Sequence, residues 1–353
     1  MGPETNDRKE GAEKVPPKKK LLGTCLRVIL SIFLLWLLLR KISINELVEF
    51  FLRTADNLPI LFVALIMPGL GVLTSSLRLK CLLKAQSIDV PIIDLAKLHL
   101  IGAFYNQILP STIGGDIVRS YWLSRIQNPN LNNKNKKQEG APLLTAVTII
   151  GVDRIIGAIG IVVTGVIAAL LNPGITRVSP HLGRVMLVIA ALAFITALLP
   201  FLPARNFGKW IFSIPIINRL RNKAVVIYNV LKSYKEAKGY LFAAFMLSIC
   251  LQSIIILQYW ILAMALQIDV SLMGFAVLSP IVTLVSMIPI TINGIGIREN
   301  ALHALGNPLG LTVSGAIALA WALLFMQFVW SLVGGIIQIR FKNDYSRAIL
   351  ILD

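Results

Sequence analysis

Charge is what this chain has least of. Only 14% of its 353 residues are Asp, Glu, Lys or Arg, where a soluble domain carries about 25%. Acidic groups are the scarcer sign, with 17 Asp and Glu against 34 Lys and Arg. Cysteine is nearly missing: Cys25, Cys81 and Cys250 lie in or beside apolar segments, form no CxxC pair and have no His at ligand spacing. That excludes a disulfide frame and a zinc site. GxSxG, HExxH, P-loop and dinucleotide-binding signatures are also missing, so no catalytic residue, metal or cofactor is assigned. Glu46, Glu49 and Asp56 in the loop 40–58 and Asp269 in the loop 267–271 make no acidic pair that could hold a metal at a membrane edge.

Apolar residues fill the space that charge leaves. They make up 56% of the sequence, and the mean hydropathy is +0.76. Runs long enough to cross a bilayer, which takes about 20 residues each, place spans at roughly 22–39, 59–77, 143–171, 184–202, 240–266 and 312–339. Two further apolar segments, 92–115 and 272–297, are interrupted by Pro and Gly. Irregular backbone at membrane depth needs protein or water to satisfy it. These two segments are therefore expected as re-entrant hairpins facing an internal cavity. The expected fold is an all-α polytopic membrane protein of about six transmembrane helices and two re-entrant helical hairpins.

The net charge of +17 sits in short segments between apolar runs, which reads as topology and headgroup contact, not as a nucleic-acid groove. Lys18 to Lys20, then Arg78, Lys80, Lys84, Arg119, Arg125 and Lys134, then Arg205 through Lys238, then Arg340, Lys342 and Arg347 all fall on one side if both termini are cytoplasmic. The run after Lys20 is long for a signal-peptide core and is followed by Arg40-Lys41, so it is read as a retained first helix of a multi-pass plasma-membrane protein. The expected organisation is a basic tail 1–20, a first repeat 21–171, a second repeat 172–340 and a tail 341–353. The second repeat includes an interfacial helix at 205–239. The basic, Asn-rich stretch 127–140 reads as a solvated loop.

In this topology the first hairpin opens to the cytoplasm and the second to the outside, the pattern of an inverted repeat in transporters. The residues agree. Pro110-Ser-Thr112-Ile-Gly114-Gly115-Asp116-Ile-Val-Arg119 and Pro289-Ile-Thr291-Ile-Asn293-Gly294-Ile-Gly296-Ile-Arg298 share Pro, Thr, Ile, Gly and Arg at matched offsets, 179 residues apart. Pro110 and Pro289 are hinge candidates. Gly114, Gly115, Gly294 and Gly296 are expected to unwind the chain and expose amide groups to an anion such as a lipid phosphate. Arg119, Arg298 and Arg154 would add charge-assisted contacts, with Asn106, Thr112, Thr291 and Asn293 beside the breaks. The alternative is a kink that lets helices pack closely.

Asp153-Arg154 lies about ten residues inside the run 143–171, where a charge costs at least about 2.5–3.5 kcal/mol. Adjacent helical residues point about 100° apart and cannot satisfy each other. Asp116, Arg119, Arg298 and Glu299 are the candidate partners, with Asp116, Asp153 and Glu299 as counter-charges. A charge network spanning both hairpins would follow; a static interhelical salt bridge is the alternative. Gln252, Gln258 and Gln327 read as helix–helix hydrogen-bonding residues, and His99 and His303 as packed side chains.

Asn106-x-x-x-Pro110 with Gly114-Gly115-Asp116 and Arg119, the Asp153-Arg154 pair, and Pro289 through Gly294-x-Gly296-x-Arg298-Glu299 resemble the lysylphosphatidylglycerol synthase transmembrane-region family. The family includes the flippase half of the multiple peptide resistance factor, and the resemblance covers roughly 20–340. It implies a lipid flippase fold acting on a phospholipid or a polyprenyl-linked lipid. The family's acidic-Arg pair is often Glu-Arg; here it is Asp153-Arg154. With the chain ending at Asp353, the soluble aminoacyltransferase domain of two-domain members is not expected, nor is synthase activity. Expected partners are membrane lipids, anionic or polyprenyl-phosphate-linked, and an envelope-biosynthesis enzyme. The second functional reading is a membrane-embedded transferase or accessory subunit acting on a lipid carrier.

Overall fold

The computed structural model describes residues 57–108, 113–127, 136–174, 221–287, 291 and 293–352. The expected spans 22–39 and 184–202, and the residues Pro110, Thr112 and Pro289, lie outside the described residues. Every regular element among those described is helical. They are α1 (Leu58–Lys84), α2 (Ile92–Ile108), α3 (Ile113–Gln127), α4 (Lys136–Leu171), α5 (Arg221–Glu236), α6 (Lys238–Ala265), α7 (Leu272–Met287), α8 (Ile297–Gly306) and α9 (Val313–Leu352).

Four stretches, Leu58–Lys84, Leu143–Leu171, Lys238–Ala265 and Val313–Ile339, are long and apolar enough to cross a membrane. They coincide with four of the expected spans. At 1.5 Å per residue, α1 is about 40 Å long. By the same rise α2 and α7 are only about 25 Å, short of the roughly 30 Å hydrocarbon layer. Each is followed by a second short helix packed against it, α3 and α8, so each expected hairpin is a pair of short helices. Its returning limb runs further than expected, to Gln127 in the first and Gly306 in the second. Helix α4 likewise starts at Lys136, inside the stretch read from sequence as loop.

The duplication is more extensive than the Pro/Gly motifs alone indicate. Ile88-Asp89-Val90 and Ile268-Asp269-Val270 are identical triplets 180 residues apart. Each follows the same turn: Ser87 (φ 58°) and Gln267 (φ 54°) take left-handed conformations. The next residue then donates back into the helix, Ile88 N–H to Leu83 O at 3.0 Å and Ile268 N–H to Ala263 O at 2.8 Å. That is a Schellman end, which satisfies carbonyls left over in the last turn. Val90 and Val270 are both buried and pin the entry to each hairpin.

Packing follows the repeat. Helices α1 and α6, equivalent by this register, lie against each other. They run antiparallel: Asn57 at the start of α1 donates to Ala265 O at the end of α6 at 3.2 Å, while Arg78 near the end of α1 reaches Ser248 in the first half of α6. Antiparallel packing of equivalent helices means the two units are inverted, and their hairpins start from opposite ends of the α1–α6 pair. The other contacts exchange between units, α2 packing on α9 and α7 on α4. Close crossings use glycine: a Cβ on Gly334 of α9 would run into the Leu100 carbonyl of α2. Two buried clusters result, one around Phe275, Leu278, Ile281 and Leu319, the other around Leu79, Leu82, Leu98 and Ile149.

Candidate functional site

The hairpin tips meet. Asn293 Nδ2, in the second break, donates to Gln107 Oε1 at the end of α2 at 2.5 Å. Beneath this contact lies a cavity of about 360 Å³. Its polar wall comes from Asn106, Gln107, Asn293, Arg154, Arg298, Gln258, Gln327, Thr283 and Ser286. Pro68, Val72, Tyr259 and Trp330 contribute apolar and aromatic surface. Trp330 Nε1 donates to Leu65 O at 2.8 Å, which fixes the indole near the turn disturbed by Pro68.

Of the residues singled out from sequence, Asn106, Arg154, Asn293 and Arg298 line the cavity. Thr291 is buried nearby in sequence with no hydrogen-bond partner at its hydroxyl. The glycines divide by role. Gly294 (φ 75°) and Gly296 (φ 84°) do leave helical space, a conformation glycine adopts without a Cβ penalty. Gly114 and Gly115 do not unwind the chain, because α3 already begins at Ile113. A Cβ on Gly115 would strike the Gly102 carbonyl, so this residue serves the close crossing of α2 and α3. Its N–H donates to Asn106 Oδ1 at 2.9 Å, turning the carboxamide that borders the cavity.

The charge network has a different partner set from the expected one. Asp153, 1% exposed, is held by Arg78, whose Nε and Nη2 donate at 2.7 and 3.2 Å. The hydropathy pattern puts Arg78 in the basic cluster after the second span; in the structure it lies inside α1, 6% exposed. Asp116 receives Arg154 through two bonds of 2.8 Å and Arg119 at 3.3 Å. Arg119 also stands 3.9 Å from Asp153, and its Nη2 lies 3.1 Å from His99 Nδ1. A guanidinium only donates, so His99 accepts at Nδ1 and is in its neutral Nε2–H form. Three guanidiniums thus share two carboxylates. Arg119 is buried in this network and lies outside the cavity lining; its stem crosses the face of Gly102.

Among the described residues, no ion pair joins this network to Arg298 or Glu299. Glu299 Oε2 instead accepts from Gly296 N–H at 2.7 Å, closing the start of α8. Arg298 is the repeat mate of Arg119, but Ile295 stands where Asp116 would provide its carboxylate. Its Nη1 is buried without a hydrogen-bond partner, on a residue that lines the cavity. An unpaired buried donor on a cation is costly, and an anionic ligand would satisfy it.

Gln258 and Gln327, read from sequence as helix–helix hydrogen-bonding residues and not as cavity residues, follow the same symmetry. Gln258 lies 180 positions after Arg78. Its Nε2 meets Met326 Sδ at 3.8 Å, as Arg78 meets Asp153. Met326-Gln327 therefore answers Asp153-Arg154, and Arg154 and Gln327 both reach the cavity. Extending the repeat register from the Ile-Asp-Val triplets identifies Gln258 from sequence; Gln327 lies 173 positions after Arg154, off that register, and is matched to it only by contact.

Inverted helix–hairpin units enclosing a polar cavity, with four helices long and apolar enough to cross a membrane, define an all-α polytopic membrane protein. The chain belongs to the lysylphosphatidylglycerol synthase TM region family, whose pattern matches residues 25–335. No curated protein matches the chain.

Proposed function

We propose that this protein is a lipid translocase that moves the headgroup of a phospholipid or polyprenyl-linked lipid between leaflets. The observation that carries the reading is Arg298: a buried guanidinium with an unpartnered nitrogen, in a polar cavity between two inverted hairpins. A headgroup phosphate docked there would gain a charge-assisted bond in low dielectric. Asn106, Asn293, Gln258 and Gln327 supply amides for the remainder of the head. The acyl or prenyl chains stay in lipid while the hairpins, entering from opposite faces, expose the cavity alternately. Arg154, paired with the Asp116 that Arg119 shares, adds shape and donors to the cavity wall. Positive-inside reasoning puts the Lys80 and Lys84 end of α1 and both termini in the cytoplasm.

The test is headgroup crossing in proteoliposomes of the purified protein, read by chemical quenching of headgroup-labelled lipids in the outer leaflet. Phosphatidylglycerol and polyprenyl-phosphate probes should lose accessible label and exchange faster than in protein-free vesicles. Crossing at the protein-free rate for every probe contradicts the proposal.

A further inference from the structure

A second cavity, of about 780 Å³, lies away from the hairpin tips. It sits where α5 hands over to α6 beside the last two turns of α1. Its floor is apolar or nearly so, from Leu77, Cys81 and Ala243. Its rim carries Lys80, Lys84 and Lys238, with Glu236 as the one acidic lining residue. Among the described residues these cations are poorly neutralised. Lys80 has only Asp89 at 4.0 Å, itself 80% exposed, and no ion pair holds Lys84 or Lys238 among the described residues. Tyr240 stands at the edge, 43% exposed, and a Cβ on Gly239 would meet nothing within 4 Å, so the mouth is open.

The shape is held in place by the chain itself. Ser233 Oγ donates to Gln86 Oε1 at 2.9 Å and Gln86 Nε2 to Val230 O at 3.0 Å, tying α5 to the end of α1. Tyr234 Oη donates to Leu82 O at 3.3 Å. The groove is thus a fixed gap between tied elements.

We infer that this groove is a binding site for an anionic phospholipid, separate from the central cavity. The phosphate would lie among Lys80, Lys84 and Lys238, with the glycerol backbone and first methylenes over Leu77, Cys81 and Ala243. Each part of an amphiphile meets matching chemistry: cations at the ends of apolar helices attract anionic headgroups, and the apolar floor accepts the chain. A free phosphate or nucleotide would use the rim and leave the floor bare. The site is about 8–18 Å along α1 from Val72 of the central cavity, at 1.5 Å per residue.

Cys81 on the floor gives a local readout. In the full chain with Cys25→Ser and Cys250→Ser, thiol labelling of Cys81 is timed in phosphatidylcholine vesicles and in vesicles with one third phosphatidylglycerol. Each variant is normalised to its own rate in phosphatidylcholine, which removes differences in thiol reactivity. The expected result is slowing of about tenfold by phosphatidylglycerol, no slowing by millimolar inorganic phosphate or glycerophosphate, and loss of the slowing in Lys80→Gln/Lys84→Gln/Lys238→Gln. Ala243→Trp, which fills the floor and leaves the charges in place, should lose it as well. Arg298→Gln should keep it, which separates the groove from the transport cavity. Equal slowing in the Lys80→Gln/Lys84→Gln/Lys238→Gln and native proteins, or equal slowing by inorganic phosphate, overturns the proposal.

Discussion

At the scale of single residues, the two arginines of the repeated motif have separate fates. Each keeps one buried nitrogen without a partner, Nε of Arg119 and Nη1 of Arg298. Arg119, however, is enclosed by Asp116, Asp153 and His99, while Arg298 lines the cavity with no carboxylate paired to it among the described residues. Removing Asp153 leaves Arg78 and Arg119 buried with one carboxylate fewer. Asp153→Asn should therefore lower stability by about 3–5 kcal/mol, read as a fall in the unfolding midpoint in detergent. Arg78→Gln should cost a similar amount, and the double variant less than the sum, since each change alone strands the other's charge. Additivity within about 0.5 kcal/mol would show that the pair is not coupled. The sequence made Asp153-Arg154 legible as a pair needing outside partners, because adjacent helical positions diverge. It could not reveal Arg78, because the rotation of α1 that turns Arg78 inward is set by packing against α4 and α6.

Elements explain which glycines matter. Gly115 sits where α2 and α3 cross, and an added methyl meets backbone that cannot yield. Gly115→Ala should cost about 1–3 kcal/mol by overpacking and displace the Asn106 carboxamide from the cavity edge. Gly151 in α4 has open space around the same methyl, so Gly151→Ala should be neutral or stabilising by up to about 1 kcal/mol. Similar losses at both sites, measured by thermal unfolding, would refute the close-approach account. Gly294 tests the other role: with φ 75°, Gly294→Ala should cost about 1–2 kcal/mol. Hydropathy alone located α1, α4, α6 and α9 to within a few residues at their apolar ends. The hairpin limits were harder. Pro and Gly mark that a helix breaks, but only the tertiary crossing decides whether Gly114 and Gly115 fall in the break or in the first turn after it.

For the whole molecule, inversion is the organising fact, carried by the antiparallel α1–α6 pair and the exchanged α2–α9 and α7–α4 contacts. Asp89 and Asp269 are exposed, equivalent residues at opposite ends of that pair. Asp89→Cys and Asp269→Cys, each in a cysteine-free background, should react with an impermeant thiol reagent from opposite faces of sealed vesicles. Reaction from one face would rule out opposite entry of the hairpins. The sequence carried the inversion through two signals: matched Pro/Gly/Arg motifs and basic loops that place them on opposite sides. The asymmetry laid over it is legible in sequence at Gln258, which the repeat register sets against Arg78, but Met326-Gln327 answers Asp153-Arg154 only once equivalent positions are superposed by contact.

The proposed transport turns on an unpaired guanidinium serving as the resting place of a lipid's phosphate partway across the bilayer. The most direct measurement is the rate of phosphatidylglycerol headgroup crossing in liposomes containing either the native chain or Arg298→Gln at equal incorporation. Native protein should raise the rate well above bare liposomes, and the substitution should reduce that increment at least about tenfold, the loss of one charge-assisted bond of roughly 1.5–3 kcal/mol. Equal increments from the two proteins, with the variant folded, would contradict it.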